Sequence, residues 1–281
     1  MTRGHLVLGS GNLAQDLCFS FESRGMAYEA TGFDIVDCWR SDAFPNLNGY
    51  ETVWLCTGGR HPEAKKNYHR SHRHNVDFPR MLMDRSDPDT GLVFFSSADC
   101  ADPAYPDKPH HRNPNPRNEF AMQKLALEGS VISRDRPRTA VVRLSSLYGA
   151  HSPWSTFPGR LLMSDFPEEM YLSFPQNEVT PTPTHWAADR LIEAMDKNLW
   201  NISTPTLHHL SPIGSISSHD WAKLIFGDLK SKFAYLERKL WDDSRPRHTQ
   251  LGTSIWLSGP LDYWHHLWEK HFEREAYQVI R

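Results

Sequence analysis

The segment His5-Leu6-Val7-Leu8-Gly9-Ser10-Gly11-Asn12-Leu13-Ala14 decides the fold of this chain. Residues 5–8 form a short apolar run that predicts a buried strand. Leu13, Leu17 and Phe21 then recur at the spacing of one helix face. The glycines between the two patterns indicate a tight turn. The sequence therefore predicts a strand, a glycine turn and a helix, in that order.

The turn has the GxGxxA pattern of a dinucleotide site. In that pattern the first glycine permits the turn, the second lets the backbone approach a pyrophosphate, and a small third residue lets helix and strand pack closely. Gly9, Gly11 and Ala14 fit these roles, and the helix that follows would direct free N–H groups at the phosphates. Asn12 and Leu13 join the glycines as candidate cofactor-binding residues. The alternative is a plain turn in an α/β protein that binds no dinucleotide.

Further apolar strands alternate with helices along the first half of the chain. The predicted strands are 26–31, 52–56, 91–95 and 139–144, and the predicted helices include 62–86 and 119–132. Strands that are apolar on both faces and alternate with helices are typical of a parallel sheet covered on both sides. The predicted fold class is α/β, a Rossmann-type doubly wound parallel sheet with a smaller C-terminal substrate lobe.

The alternation weakens beyond Gly149, which suggests a division into two domains. Residues 1–150 are predicted to form the NAD(P)-binding domain, with 181–200 returning to it, and residues 151–281 the smaller lobe. The cofactor stays open between NAD and NADP. The end of the second strand, Glu29 to Gly32, offers neither a clearly placed acid for the ribose hydroxyls nor an Arg for a 2′-phosphate.

Composition excludes several classes of partner. The net charge is −3 and the basic residues are scattered, which argues against nucleic acid. No stretch approaches the roughly 20 apolar residues of a membrane-spanning helix, and the N-terminus lacks a signal-peptide pattern, so we predict no membrane partner and a cytoplasmic location.

The cysteines and histidines do not predict a metal site. The four cysteines are widely spaced without a CxxC pair, which favours reduced thiols. His69 and His72 share a helix face with no acid or thiol one turn away, so we interpret residues 69–74 as a solvated basic helix and expect no metal.

Several later segments complete a pattern that is specific only as a series. They are Asp34-Ile35-Val36-Asp37, Cys56-Thr57-Gly58, Asn75-Val76, Ser96-Ser97-Ala98-Asp99, Pro116 to Lys124, Arg143 to Gly149, Pro181-Thr182 and Arg245 to Leu251. In this order they resemble the extended short-chain dehydrogenase/reductase superfamily, and within it the dTDP-4-dehydrorhamnose reductase family of sugar-nucleotide enzymes. The resemblance covers nearly the whole chain.

The resemblance implies a nicotinamide cofactor, a nucleotide-linked keto-sugar or similar carbonyl substrate, and a possible homodimer. It adds a set of cofactor-binding candidates: Asp34, Ile35, Cys56, Thr57, Gly58 and Lys124. It also implies a substrate side formed by Ser97, Asp99 and Arg245.

The chain departs from this family at the centre of the chemistry. Such enzymes use a Tyr to donate a proton to the carbonyl, a Lys four residues later to hold the ribose, and a Ser to orient the oxygen. Here the Tyr position is Phe120, which has no proton to give, while Lys124 and Ser97 remain. Residues i and i+4 share a helix face, so Lys124 keeps its expected place. The candidate catalytic residues are Ser97, Phe120 and Lys124.

Three interpretations of Phe120 stay open at this point. The chain is an ordinary reductase with Tyr replaced by Phe to trap a complex, or an enzyme in which another group protonates the substrate. Candidates for that group are Asp99, Ser96, Tyr148 and a loop histidine. The segment 101–118, where the family has a substrate-side loop, holds the pair His110-His111. The third is a cofactor-binding regulatory or structural subunit without catalysis. Retention of Lys124 and Ser97 favours an enzyme.

Overall fold

A computed structural model describes residues 4–32, 44, 46–100, 116–149, 151, 156–157, 178–197, 204–212, 214–217 and 220–221. The strands are β1 His5–Leu8, β2 Tyr28–Thr31, β3 Thr52–Leu55, β4 Gly91–Ser97, β5 Thr139–Leu144, β6 Ser146–Tyr148, β7 Glu178–Val179, β8 Pro181–Pro183, β9 Thr206–Leu210 and β10 Ile216–Ser217. Six of them form the main sheet, in the order β2-β1-β3-β4-β5-β9, with every neighbouring pair parallel. The predicted parallel sheet is confirmed.

Helices cover both faces of this sheet. They are α1 Asn12–Ser23, α2 His61–Lys66, α3 Tyr68–His72, α4 Phe78–Arg85, α5 Glu119–Ser133 and α6 Thr184–Asp196. One hydrophobic cluster joins side chains of α1 and α6 to one face of the strands, and a second joins α4 and α5 to the other face. Alternate residues of one strand supply the two clusters: Val7 lies in the first, while Leu6 and Leu8 lie in the second. The fold is the predicted doubly wound α/β class.

The single helix predicted over residues 62–86 is wrong. Three α-helices fill this stretch, with a π-helical turn, Arg73–Asp77, between α3 and α4. The chain leaves the helical conformation at Asn67 (φ −145°, ψ 82°), whose side chain accepts a hydrogen bond from the Arg70 N–H at 3.1 Å. Asparagine favours such caps because its short amide competes with the helical backbone. The spacing of apolar residues along the sequence does not reveal this break between helices.

The strand order reverses direction at β1, which has β2 on one side and β3 on the other. At such a switch point the carboxyl ends of neighbouring strands leave a crevice between their following loops. The Gly9 N–H donates to the Thr31 carbonyl at 3.0 Å, and the Cys56 N–H donates to the Leu8 carbonyl at 2.8 Å. The glycine turn is therefore fixed between the ends of β2 and β3.

The chain returns to the sheet after the segment that follows Gly149. Helix α6 packs against α1, and β9 extends the sheet beside β5. A Cβ on Gly149 would overlap the Thr184 hydroxyl and come within 3.1 Å of the Asn12 side chain, so glycine permits close contact at this junction. The division into domains 1–150 and 151–281 stays a prediction, because most of the second range lies outside the described residues.

Candidate active site

The glycine turn has the geometry that a phosphate site needs. Gly9 has φ +137°, and a Cβ there would lie 2.9 Å from the carbonyl carbon of Cys56. Gly11 is the N-cap of α1, and a Cβ there would meet no described atom within 4 Å. Within the described residues, no side-chain hydrogen bond caps α1. The positive end of a 12-residue helix is thus available to an anion.

The loop after β3 brings the next candidates against the same crevice. Thr57 and Gly58 follow Cys56, whose carbonyl faces the Gly9 turn. A Cβ on Gly58 would lie 3.0 Å from Asn75 Oδ1 and 3.5 Å from Lys124 Nζ. The structure therefore brings Gly58 and Lys124 together, as the resemblance implies for one cofactor site.

Asn75 supports this loop from the π-helical turn. Its amide Nδ2 donates to the Gly59 carbonyl at 3.1 Å, to Ser71 Oγ at 3.1 Å and to Gln123 Oε1 at 2.8 Å. Its Oδ1 is buried and has no hydrogen-bond partner among the described residues. A buried acceptor without a partner is costly, and a ligand donor would satisfy it. The Asn75 Oδ1, the N-terminus of α1, which no described side chain caps, and the close backbone contact at Gly58 together fit a bound dinucleotide.

Helix α5 positions the centre of the candidate chemistry. The side chain of Asn118 caps it by accepting a hydrogen bond from the Ala121 N–H at 2.8 Å. One turn separates Phe120 from Lys124, whose Nζ lies 5.6 Å from the centroid of the Phe120 ring. The same Nζ donates to the Phe95 carbonyl of β4 at 2.9 Å. Lys124 thus connects α5 to the sheet beside the Phe120 ring.

The environment of Lys124 makes it an unusual amine. Burial lowers its pKa from the ordinary 10.5 to about 8, although Cys100, when ionised, and the Glu128 carboxylate act to raise it. The residue as a whole is only 9% exposed. At neutral pH it is a mostly protonated ammonium that releases its proton far more readily than a solvated lysine.

Ser97 and Asp99 lie where β4 ends, at the carboxyl edge of the sheet. The Asp99 N–H donates to Ser97 Oγ at 3.2 Å, so the backbone of the following turn orients the hydroxyl. Both residues are partly exposed. Their assignment to substrate stays a prediction.

A buried polar cluster beneath this end of β4 was not predicted from the sequence. Arg143 of β5 binds Glu128 of α5 through two hydrogen bonds of 2.7 Å, and Ser96 Oγ donates to the same carboxylate at 2.5 Å. Cys100 lies 3.7 Å from Ser96 Oγ, and burial raises its pKa to about 12. The sequence signal that could have revealed this pair is a charged residue inside each of two apolar patterns. Arg143 interrupts a buried strand, and Glu128, of opposite charge, lies on a helix.

Two of the alternative proton donors, Ser96 and Tyr148, are buried in the structure. The Ser96 hydroxyl is buried and already donates to Glu128. Tyr148 is buried against Trp221, with ring centroids 5.6 Å apart, and burial raises the pKa of its phenol. Both groups are thus poorly suited to give a proton to a substrate in the crevice.

Some predicted residues lie outside the described part of the chain. They are Asp34, Ile35, His110, His111 and Arg245. In the described residues, no group of three or more His, Cys, Asp or Glu side chains is arranged to hold a metal ion. His72 Nδ1 lies 3.4 Å from a carboxylate oxygen of Asp77, so an acid does lie near His72, contrary to the sequence prediction. Across the same described residues, no helix combines the length and apolar character needed to span a membrane.

A doubly wound parallel sheet with a glycine turn at its switch point, and a buried Lys beside the neighbouring loop, defines a Rossmann-type α/β protein. The chain belongs to the family described as the RmlD substrate binding domain, whose profile matches residues 5–251. This confirms the resemblance drawn from the motifs. No sequence among curated proteins matches the chain.

Solved structures share the fold at low sequence identity. A dTDP-4-dehydrorhamnose reductase from Clostridium acetobutylicum has 17% identity and a TM-score of 0.75, covering 96% of this chain and 98% of that one. The same enzyme from Bacillus anthracis, in complex with NADP, has 20% identity and a TM-score of 0.73, covering 98% and 100%. MoeE5 in complex with UDP-glucose and NAD has 15% identity and a TM-score of 0.72, covering 90% of each chain.

Proposed function

We propose that this protein is an NAD(P)-dependent reductase of a carbonyl compound, with a nucleotide-linked keto-sugar as the substrate class. The observation that carries the proposal is the position of Lys124. Its buried Nζ lies 3.5 Å from the position of a Cβ on Gly58 and 5.6 Å from the centroid of the Phe120 ring. A lysine with only a structural role would be expected at the surface with its ammonium in water, whereas Lys124 is buried. The NADP and NAD complexes of the similar structures support a nicotinamide cofactor.

The residues of the crevice would divide the work of binding. The N–H groups at the start of α1 would receive the pyrophosphate, with Gly9 and Gly11 letting the backbone come close. Lys124 would donate to ribose hydroxyls, and the Asn75 Oδ1 would accept from the cofactor. A bound reduced nicotinamide would supply a hydride to the substrate carbonyl.

The substrate side would lie at the end of β4. Ser97, held by the Asp99 N–H, would donate its hydroxyl proton in a hydrogen bond to the carbonyl oxygen. Asp99 would contact the substrate, and Arg245 suits a diphosphate through its forked donors. Phe120 removes the hydroxyl that the family uses as an acid, so proton delivery must differ from the family's pattern.

The test measures cofactor binding and turnover separately. Calorimetry with the reduced dinucleotides NADH and NADPH measures binding. The loss of the reduced cofactor's ultraviolet absorbance with a panel of nucleotide 4-keto-sugars measures reduction. The variants are the natural chain, Phe120→Tyr and Phe19→Tyr. Phe19 is a matched control because it is 68% exposed on α1. We expect micromolar binding, slow turnover by the natural chain, and a rate gain for Phe120→Tyr alone.

A second function is favoured by the same Phe120. If the reduced cofactor binds but neither the natural chain nor Phe120→Tyr turns over any carbonyl substrate, the protein is a cofactor-binding subunit without catalysis. If calorimetry detects no binding of either dinucleotide, both functions are wrong.

A further inference from the structure

The residue at the family's proton-donor position has no exchangeable proton, yet a buried cation lies one helical turn away. We propose that Lys124 itself donates the proton to the substrate oxygen in this chain, an inference that rests on the proposed reductase function. In the family pattern the lysine only holds the ribose and assists the Tyr. Here it would carry the acid role as well.

The position of Nζ permits this role. It lies 5.6 Å from the Phe120 ring centroid, within the range of a cation–π contact, and 3.5 Å from the point where a Gly58 side chain would begin. An ammonium carries three N–H donors. Among the described residues, Nζ makes one hydrogen bond, to the Phe95 carbonyl. Two donors are therefore left for a ribose hydroxyl and for the substrate oxygen, directly or through one water molecule.

Two of the competing donors, Ser96 and Tyr148, are occupied or unsuited. Ser96 gives its proton to the Glu128 carboxylate at 2.5 Å. Tyr148 is buried against Trp221, and its pKa is raised. Lys124, by contrast, combines a transferable proton with a position beside Gly58 in the loop after β3.

The acidity of Lys124 suits the task. A general acid works best when its pKa lies near the working pH, and burial lowers the pKa of Lys124 to about 8. The charged or titratable groups that act on it are Glu128 on the same helix and Cys100 in the turn after β4, and both oppose this shift. Arg143 pairs with Glu128 from β5 and so neutralises that carboxylate. The Phe120 ring adds an apolar wall where a phenol would have been a polar neighbour.

The step balances as an ordinary carbonyl reduction. The carbonyl carbon gains a hydride from reduced nicotinamide, and the π electron pair moves onto oxygen. That oxygen takes a proton from Nζ, whose N–H bond breaks with its electrons remaining on nitrogen. Lys124 is left as a neutral amine and regains a proton from water, while the carbonyl becomes an alcohol.

The discriminating variant is Lys124→Arg, because arginine keeps the charge that holds a ribose but stays protonated far above neutral pH. For the natural chain we expect kcat to fall tenfold per pH unit above about 8. Lys124→Arg should lower kcat by about 10²- to 10⁴-fold, with KM for the reduced cofactor changed by less than about threefold. Phe120→Tyr combined with Lys124→Arg should recover most of the loss. Lys66→Arg, at an exposed lysine of α2, is the matched control.

A readout independent of turnover is the titration of the Lys124 amine. In ¹⁵N-lysine NMR spectra of the full chain without cofactor, the resonance lost in Lys124→Arg identifies Nζ. We expect it to titrate more than one pH unit below the other lysines. Titration together with the exposed lysines would overturn the proposal.

The outcomes separate this inference from the proposed function. If Lys124→Arg keeps the natural rate and the same alkaline limb, the donor role is wrong while the reductase function stands. If Phe120→Tyr reduces the substrate and the natural chain does not, the site frame is correct but Lys124 is not an acid. If neither turns over, the reductase function itself is wrong.

Discussion

Arg143 and Glu128 form a two-point ion pair inside the protein, with Nε–Oε1 and Nη2–Oε2 distances of 2.7 Å and both residues 2% exposed. The pair joins β5 to α5 directly below Ser96, which supplies a third hydrogen bond to the carboxylate. A buried pair repays its desolvation only with such geometry and with its other hydrogen bonds satisfied. It ties the helix that carries Lys124 to the strand next to β4.

Removing one partner of this pair should destabilise the fold strongly. We expect Arg143→Met to cost about 3–5 kcal/mol of the free energy of unfolding, because Glu128 is left as an uncompensated buried charge. Urea denaturation followed by circular dichroism measures the change. The control is Arg134→Met, whose salt bridge to Asp84 is exposed and should cost about 1 kcal/mol or less.

The double variant Glu128→Leu with Arg143→Met tests the origin of this loss. If uncompensated charge is the cause, the double variant should be more stable than Arg143→Met alone. A double variant that is less stable than both single variants would show instead that the loss comes from side-chain packing.

The two glycines of the turn should respond differently to alanine. Gly9→Ala places a side chain at φ +137° and 2.9 Å from the Cys56 carbonyl carbon, so we expect a loss of about 1–3 kcal/mol in stability. Gly11→Ala has ordinary backbone angles and open space, and should fold as the natural chain does. Thermal denaturation compares the two variants.

Gly11→Ala then tests the dinucleotide site without the complication of misfolding. A methyl group at the N-terminus of α1 should obstruct the backbone approach to a pyrophosphate and weaken NADPH or NADH binding by about tenfold or more in calorimetry. Unchanged affinity would mean that the cofactor does not bind at this turn.

The regular strands and helices of the sheet, and the glycine turn, could be predicted from the sequence. Strands such as 91–95 and 139–144 can be recognised because both their faces are buried, so they read as continuous apolar runs. The glycine turn can be recognised because few residues other than glycine permit its backbone conformation. The helix at 119–132 was predicted to within one residue of Glu119–Ser133. The break at Asn67 was missed because a cap is a single-residue signal within a longer helical pattern.

The candidate site could be predicted only as a set of positions. The sequence places Lys124 four residues after Phe120, but the lowered pKa of its amine depends on burial against β4. Likewise, the hydrogen bond that holds the Ser96 hydroxyl depends on Glu128, which is 32 residues away in the sequence. Contacts between distant residues leave no local pattern in a single sequence.

The junction at Gly149 should resist a side chain. In Gly149→Ala the new methyl group would overlap the Thr184 hydroxyl, which donates to the Tyr148 carbonyl at 3.2 Å. We expect overpacking to cost about 1–3 kcal/mol. Adding Thr184→Ala should recover part of this cost, since it removes the overlapping oxygen. In the control Gly129→Ala, open space and a helical backbone predict unchanged or slightly higher stability.

The lowered pKa of Lys124 also predicts how stability depends on pH. In the unfolded chain the amine has its ordinary pKa of 10.5, and in the folded protein the pKa is about 8. Between these values the unfolded state binds more protons than the folded state, so the free energy of unfolding rises with pH. The penalty for burying the ammonium is fully present below pH 8 and is relieved as pH rises toward 10.5. A shift of this size corresponds to about 3 kcal/mol.

Comparison with Lys124→Met isolates this contribution, because all other titrating groups are shared. Urea denaturation at pH 7, 8, 9 and 10 should show the natural chain gaining stability relative to the variant by about 1 kcal/mol per pH unit above 8. Below pH 8 the difference between the two should be flat. A difference that stays constant from pH 7 to 10 would mean that the amine keeps its ordinary pKa in the folded protein, and it would remove the electrostatic support for Lys124 as a proton donor.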